Sequence, residues 1–182
     1  LPPSSTQTFD LYTSCGSSTT SPQTNGKKYA NLFHAPHGLD AYYDYEQGLA
    51  YAKKVNKPVF LDFTGWSCTN CRKMEESVWS DPLVLQKLKE EYILVSLYVD
   101  DKTELPKNEQ YISKLSGKKI ERLGQKWSDL QASKFGTNSQ PYYILVNPEG
   151  QLLVPPRAFD LDIHPYIQFL DTGIEVFNNK KI

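Results

Sequence analysis

Cys68 and Cys71 stand three residues apart, at the start of a segment whose pattern predicts a helix. That placement has a chemical use. Unpaired backbone N–H groups and the helix dipole favour a thiolate at the first cysteine. The second lies one turn on, close enough to form a disulfide with the first. A thiolate there attacks a partner disulfide, and the second thiol resolves the mixed disulfide. Two other readings of the pair stand beside this one. It could be half of a zinc site, which needs two more ligands from Cys15, His34, His37 and His164, or a buried inert pair. The third cysteine, Cys15, is alone in sequence and reads as a spectator.

Two carboxylates accompany the pair. Asp62 lies six residues before Cys68, inside an apolar run, and a buried carboxylate is costly unless paired or protonated. The other reading places it solvated at a strand end. Glu75 lies seven residues after Cys68, two helical turns on and on about the same face; otherwise it is a surface helix glutamate. His34 and His37 read as a solvated loop.

The elements that must position these residues follow from periodicity. Tyr42, Tyr45, Leu49 and Ala52 share one face of a helix over 39–56, capped by Asp40 and stopped before Pro58. Val59–Phe63 reads as a buried strand, followed by a turn and the helix of the cysteines. Asp81 and Pro82 open another helix to about Glu91. Tyr92–Val99 is a second buried strand. Residues 101–118 read as irregular, and 119–135 as a helix. Tyr142–Val146 and Gln151–Val154 form an antiparallel hairpin, and Asp162–Asn179 closes the chain as a helix. Strands alternating with helices imply parallel crossovers. The expectation is one α/β domain with a mixed sheet over 39–182, preceded over 1–38 by a Ser/Thr/Pro-rich tail or linker and a loop.

Composition limits the partners. With 20 Lys and Arg against 21 Asp and Glu, the net charge is −1, so nothing drives binding to nucleic acid. Over 105–134, seven basic residues face three acids, which reads as a solvated face rather than a docking surface. The longest apolar run, Tyr92–Val99, is far short of the ~20 residues that a membrane helix needs. No signal peptide is visible, and a chain opening at Leu1 is expected to be a processed product or an excised fragment.

The run Asp62-Phe63-Thr64-Gly65-Trp66-Ser67-Cys68-Thr69-Asn70-Cys71-Arg72-Lys73-Met74-Glu75 resembles the active site of the thioredoxin superfamily. It is most similar to the C-terminal periplasmic domain of DsbD-type transmembrane thiol:disulfide interchange proteins. Lys57–Asp62, Trp79–Pro82 and Leu97–Asp101 support the match, and Gln140-Pro141-Tyr142-Tyr143 matches the superfamily's cis-proline position. The resemblance covers about residues 40–178 and implies a thioredoxin-like fold, a central mixed sheet flanked by helices. It implies a protein-disulfide reductase with Cys68 as nucleophile and Cys71 as resolving thiol. Asp62 then assists proton transfer at Cys71, and Glu75 holds the thiol pKa up. Gln140 and Pro141 present backbone to a partner, and Trp66 flanks the site. No cofactor or metal is implied. Electrons would arrive from a membrane-embedded domain, expected in the same polypeptide, and leave to periplasmic partner disulfides. A free-standing periplasmic reductase and a redox-inert zinc or binding module are the alternatives. The sequence departs from thioredoxin in three places: Thr69-Asn70 between the cysteines, Ser96 at the position of the strand lysine, and a longer stretch over 102–134.

Overall fold

The structure is a computed structural model that describes residues 26–180. Cys15, with most of the expected tail, lies outside the described residues. Six strands and five α-helices follow in chain order: β1 Ala41–Tyr42, α1 Tyr45–Val55, β2 Val59–Thr64, α2 Thr69–Met74, α3 Pro82–Glu90, β3 Ile93–Tyr98, β4 Tyr111–Ile112, β5 Lys119–Ile120, α4 Leu123–Phe135, β6 Tyr142–Val146 and α5 Ile163–Asn179. The main sheet has the order β1-β3-β2-β6. β1 and β2 run parallel to β3, and β6 runs antiparallel to β2.

β2 and β3 are buried at every position, as expected of central strands covered on both faces. Alternation divides the residues between two layers. On one face Gly48 of α1 packs so closely on β3 that a Cβ there would stand 2.3 Å from Val95 Cγ2, and Phe63 meets Phe135 of α4. On the other face Phe60 meets Trp79. The Trp79 indole donates to the Tyr166 hydroxyl at 3.0 Å, and the Tyr92 hydroxyl donates to Leu170 O at 2.6 Å. Both bonds seat α5 on this face of the sheet. Core packing begins ahead of the first strand, with Tyr29 and Leu32 packed against the core and Phe33 buried in it.

Several boundaries differ from the sequence reading. The first helix starts at Tyr45, capped by Asp44 rather than Asp40: the Asp44 carboxylate accepts from Gln47 N. Ala41 and Tyr42 instead add an edge strand. The helix expected over 119–135 starts at Leu123, because Lys119–Ile120 pairs with Tyr111–Ile112 in a small hairpin. The stretch read as irregular therefore holds half of a two-stranded sheet. The expected fourth strand of the main sheet is reduced to isolated bridges, Val146↔Leu152 and Tyr143↔Arg157. Pro155 and Pro156 stand between the bridges and have no N–H for a ladder.

Candidate functional site

Cys68 and Cys71 form a disulfide with Cα atoms 5.2 Å apart. Cys68 is the N-cap of α2, where its sulfur accepts the Cys71 N–H at 3.2 Å. Cys68 is partly exposed, whereas Cys71 is buried at 2 % exposure. One sulfur is thus open to a partner and the other is shielded. After Met74 the helix continues as a π-helical turn, Glu75–Trp79, before Asp81 caps α3.

The turn before Cys68 is held by the end of β3. Asp100 accepts from Trp66 N at 2.8 Å and from Ser67 N at 3.0 Å. Asp101 accepts from the Trp66 indole at 2.9 Å and from Thr103 N at 2.9 Å. Trp66 is half exposed, and its ring stacks on Phe33 at 5.3 Å and packs tilted against Tyr98 at 4.7 Å. Trp66, Ser67 and Asp100–Thr103 line an open groove beside it.

Asp62 is buried. The β2–β3 register sets it opposite Ser96, whose hydroxyl donates to Asp62 Oδ2 at 3.0 Å. Burial and the nearby Glu75 carboxylate push its pKa up to about 7, against the Ser96 hydrogen bond and Arg72, which lower it. Two positions on, and so on the same face, Thr64 stands opposite Tyr98. Arg72 reaches back from α2 to this pair. Its Nη2 donates to Thr64 Oγ1 at 2.9 Å and to Gly65 O at 3.2 Å, and the Tyr98 hydroxyl is a further partner. Glu75 is buried too. Its Oε2 lies 3.3 Å from Arg72 Nε, an ion pair without hydrogen-bond alignment. Burial raises the Glu75 pKa, while Arg72 and His37 lower it. His37 is exposed, as its reading as a solvated loop residue expects, and has its Nε2 2.7 Å from Glu75 O.

The Gln140–Pro141 bond is cis. Pro141 stands one residue outside the last β2–β6 pair, Phe63↔Tyr142, at the Cys68 end of the sheet. The Gln140 amide donates to Gln131 Oε1, and the buried Gln131 amide donates to Ser139 O, both at 2.9 Å. α4 thereby anchors the turn before β6. The fold sets Trp66 in the turn before Cys68, Arg72 and Glu75 beyond Cys71, Asp62 in the strand that leads in, and Gln140 and Pro141 at the same end of the sheet.

The sequence reading gave no part to Arg72, Tyr98, Phe33 or the hydrogen bonds of Asp100 and Asp101. One signal was available. Asp62 and Thr64 in β2, and Ser96 and Tyr98 in β3, each place two polar groups two apart in an apolar strand, which marks a polar stripe on one face. Among the described residues, no three His, Cys, Asp or Glu are grouped to hold a metal ion.

A two-cysteine helix start on a sheet of this topology defines a thiol–disulfide oxidoreductase. A family model described as thioredoxin-like matches residues 40–148, more than half of the chain; the chain belongs to the thioredoxin-like family. No curated protein matches it in sequence. Among solved structures it is similar to the DsbH oxidoreductase, at 19 % identity and a TM-score of 0.55 over 79 % of this chain and 91 % of that one. The reduced DsbD C-terminal domain of Neisseria meningitidis shows 18 % identity and a TM-score of 0.49 over 70 % and 92 %. A thioredoxin from Thermus thermophilus shows 22 % and 0.48 over 74 % and 84 %. At 19 % identity the likeness to DsbH is one of fold.

Proposed function

We propose that the chain reduces protein disulfides. The observation that carries this reading is the asymmetry of the pair, Cys68 partly exposed at a helix N-cap and Cys71 buried behind it. The Cys68 thiolate attacks one sulfur of the partner disulfide, and the other partner sulfur leaves with the electron pair. Cys71 gives its proton to the Asp62 carboxylate. The Cys71 thiolate then attacks Cys68 Sγ, the bond to the partner breaks, and the second partner sulfur leaves as a thiolate that takes a proton from water. Two electrons pass to the partner, and the Cys68–Cys71 disulfide remains.

The reducing direction is supported by the carboxylates behind the pair. A stabilised thiolate makes an oxidant. Asp62 and Glu75 add negative charge beside the dithiol and work against the thiolate. Trp66, two residues before Cys68, and the backbone at Gln140–Pro141, at the same end of the sheet, are offered as contacts for an extended partner segment. The motif resemblance around Cys68 supports a periplasmic setting, with electrons supplied by a membrane-embedded domain. Among the described residues no helix is long and apolar enough to cross a membrane. Cys71→Ser should trap a mixed disulfide with a partner protein, and Cys68→Ser should not. Equal trapping by both variants would sink the assignment.

A further inference from the structure

We propose that Arg72 is a positioning residue for the second half of the exchange: it ties the turn before Cys68 to the helix that carries Cys71, and it sets a positive charge against the Asp62–Glu75 carboxylate pair. The proposal rests on the reading of Cys71 as the resolving thiol and Asp62 as its base.

Four partners meet on one guanidinium, one of them the Tyr98 hydroxyl. Nη2 takes Thr64 Oγ1 at the end of β2 and Gly65 O in the turn, while Nε faces Glu75 Oε2 one helical turn further on. A planar fork serves such separated acceptors at once, and a lysine ammonium on a flexible stem does not hold them in that geometry. Cys71 is the residue before Arg72. The reach-back therefore fixes the helix start relative to the strand end in the dithiol state, when no covalent bond joins the two cysteines.

The charge has a second consequence. The group facing Asp62 across the sheet is the neutral Ser96 hydroxyl. From β6 and α5 the facing titratable groups are the phenols Tyr143 and Tyr166, both held far up by burial. Tyr98 on β3 is likewise raised by burial. Glu75 raises Asp62, and Arg72 lowers it. His37, from the turn before β1, touches Glu75 O and acts on the Glu75 carboxylate. The Ser96 hydrogen bond and, after it, the Arg72 charge thus oppose burial and Glu75 in favour of the Asp62 carboxylate. When Cys71 S–H passes its proton to Asp62, the product is a neutral acid beside an Arg72–Glu75 ion pair.

A single turnover of the reduced protein with 5,5′-dithiobis(2-nitrobenzoate) reads both halves. One nitrothiobenzoate is released when Cys68 attacks, and a second when Cys71 resolves. The second phase should slow as pH falls, with a midpoint near the Asp62 value of about 7. Arg72→Gln should move that midpoint up, because a neighbouring positive charge that favours the carboxylate is lost. Arg72→Lys, which keeps the charge, should leave the midpoint nearly in place but slow the second phase several-fold. In an Asp62→Asn background the limb should vanish, and adding Arg72→Gln should shift nothing. An unmoved midpoint in Arg72→Gln, or an equal shift in Arg72→Lys, would overturn the proposal, since a merely structural role lowers stability and leaves the midpoint alone. A limb that survives Asp62→Asn would belong to another group and overturn it too. Should Arg72→Gln not fold, Glu75→Gln serves: removing the like charge should move the midpoint down, and no movement refutes the coupling. The underlying reading fails separately, if the wild type shows no second phase or Cys71→Ser retains it.

Discussion

Asp62→Asn should reverse its effect on stability with pH. In the folded oxidised protein the carboxyl is raised from 3.8 to about 7, so between those values the folded state holds a proton that the unfolded chain has released. The unfolded state then binds fewer protons, and stability falls as pH rises. About three pH units at roughly 1.4 kcal/mol each amount to about 4 kcal/mol of stability, fully present below pH 4 and gone above about pH 7. Asparagine does not titrate there. Its carbonyl can still accept from Ser96, but its amide N–H groups are buried without a partner, at a cost of about 1–3 kcal/mol. The variant should therefore be less stable than wild type below pH 4 by about 1–3 kcal/mol, and more stable above pH 7 by a similar amount. The two curves should cross between about pH 4.5 and 6. Urea denaturation of both oxidised proteins from pH 3 to 9, at constant ionic strength, measures the difference directly. The other titrating groups are shared, so the difference isolates Asp62. Parallel curves would refute the buried, raised carboxyl, and a crossing in the opposite sense would place Asp62 in a cation-dominated site.

Three further outcomes are expected. Phe33→Ala removes a ring packed against Trp66, Tyr98 and Tyr43 and should cost about 3–5 kcal/mol in urea denaturation; a loss under 1 kcal/mol would mean that the segment before β1 does not buttress the site. Asp100→Ala leaves the Trp66 and Ser67 amides without their acceptor; destabilisation by about 1–3 kcal/mol should come with faster amide exchange at those two positions, and unchanged exchange would show that the turn stands without Asp100. Replacing Asp62 and Glu75 together by their amides should move the midpoint of Cys68 alkylation by iodoacetamide to lower pH, because two negative charges that oppose the thiolate are gone; an unmoved midpoint would remove both from the control of the thiol.

Cys68 and Cys71, their place at a helix start, and the two buried strands that lead to them were legible in the amino-acid sequence. Each depends on short-range features: a turn before a helix, apolar runs of strand length, capping by Asp81 and Asp162. Element ends were less legible where two local solutions compete. Asp40 and Asp44 can both cap the first helix, and only the pairing of Ala41–Tyr42 with β3 selects Asp44. Ile120 suits the apolar face of a helix, but the hairpin claims it because Tyr111–Ile112 lies alongside.

The surroundings of the dithiol were decided by tertiary structure alone. Asp62 meets Ser96 because the register of two parallel strands 34 positions apart sets them side by side, and register is a long-range property that the residues of one strand do not encode. Arg72 is an unremarkable basic residue in a helical pattern until β2 ends at Thr64 and Gly65 within its reach. His37 and Phe33 read as parts of a loop, yet the chain path before β1 lays one on Glu75 O and the other on Trp66. The sequence by itself determined which atoms react. Burial, register and the charges brought close by folding decided the protonation of the groups around them, because the energy of a charge depends on its distance to others and on its access to water.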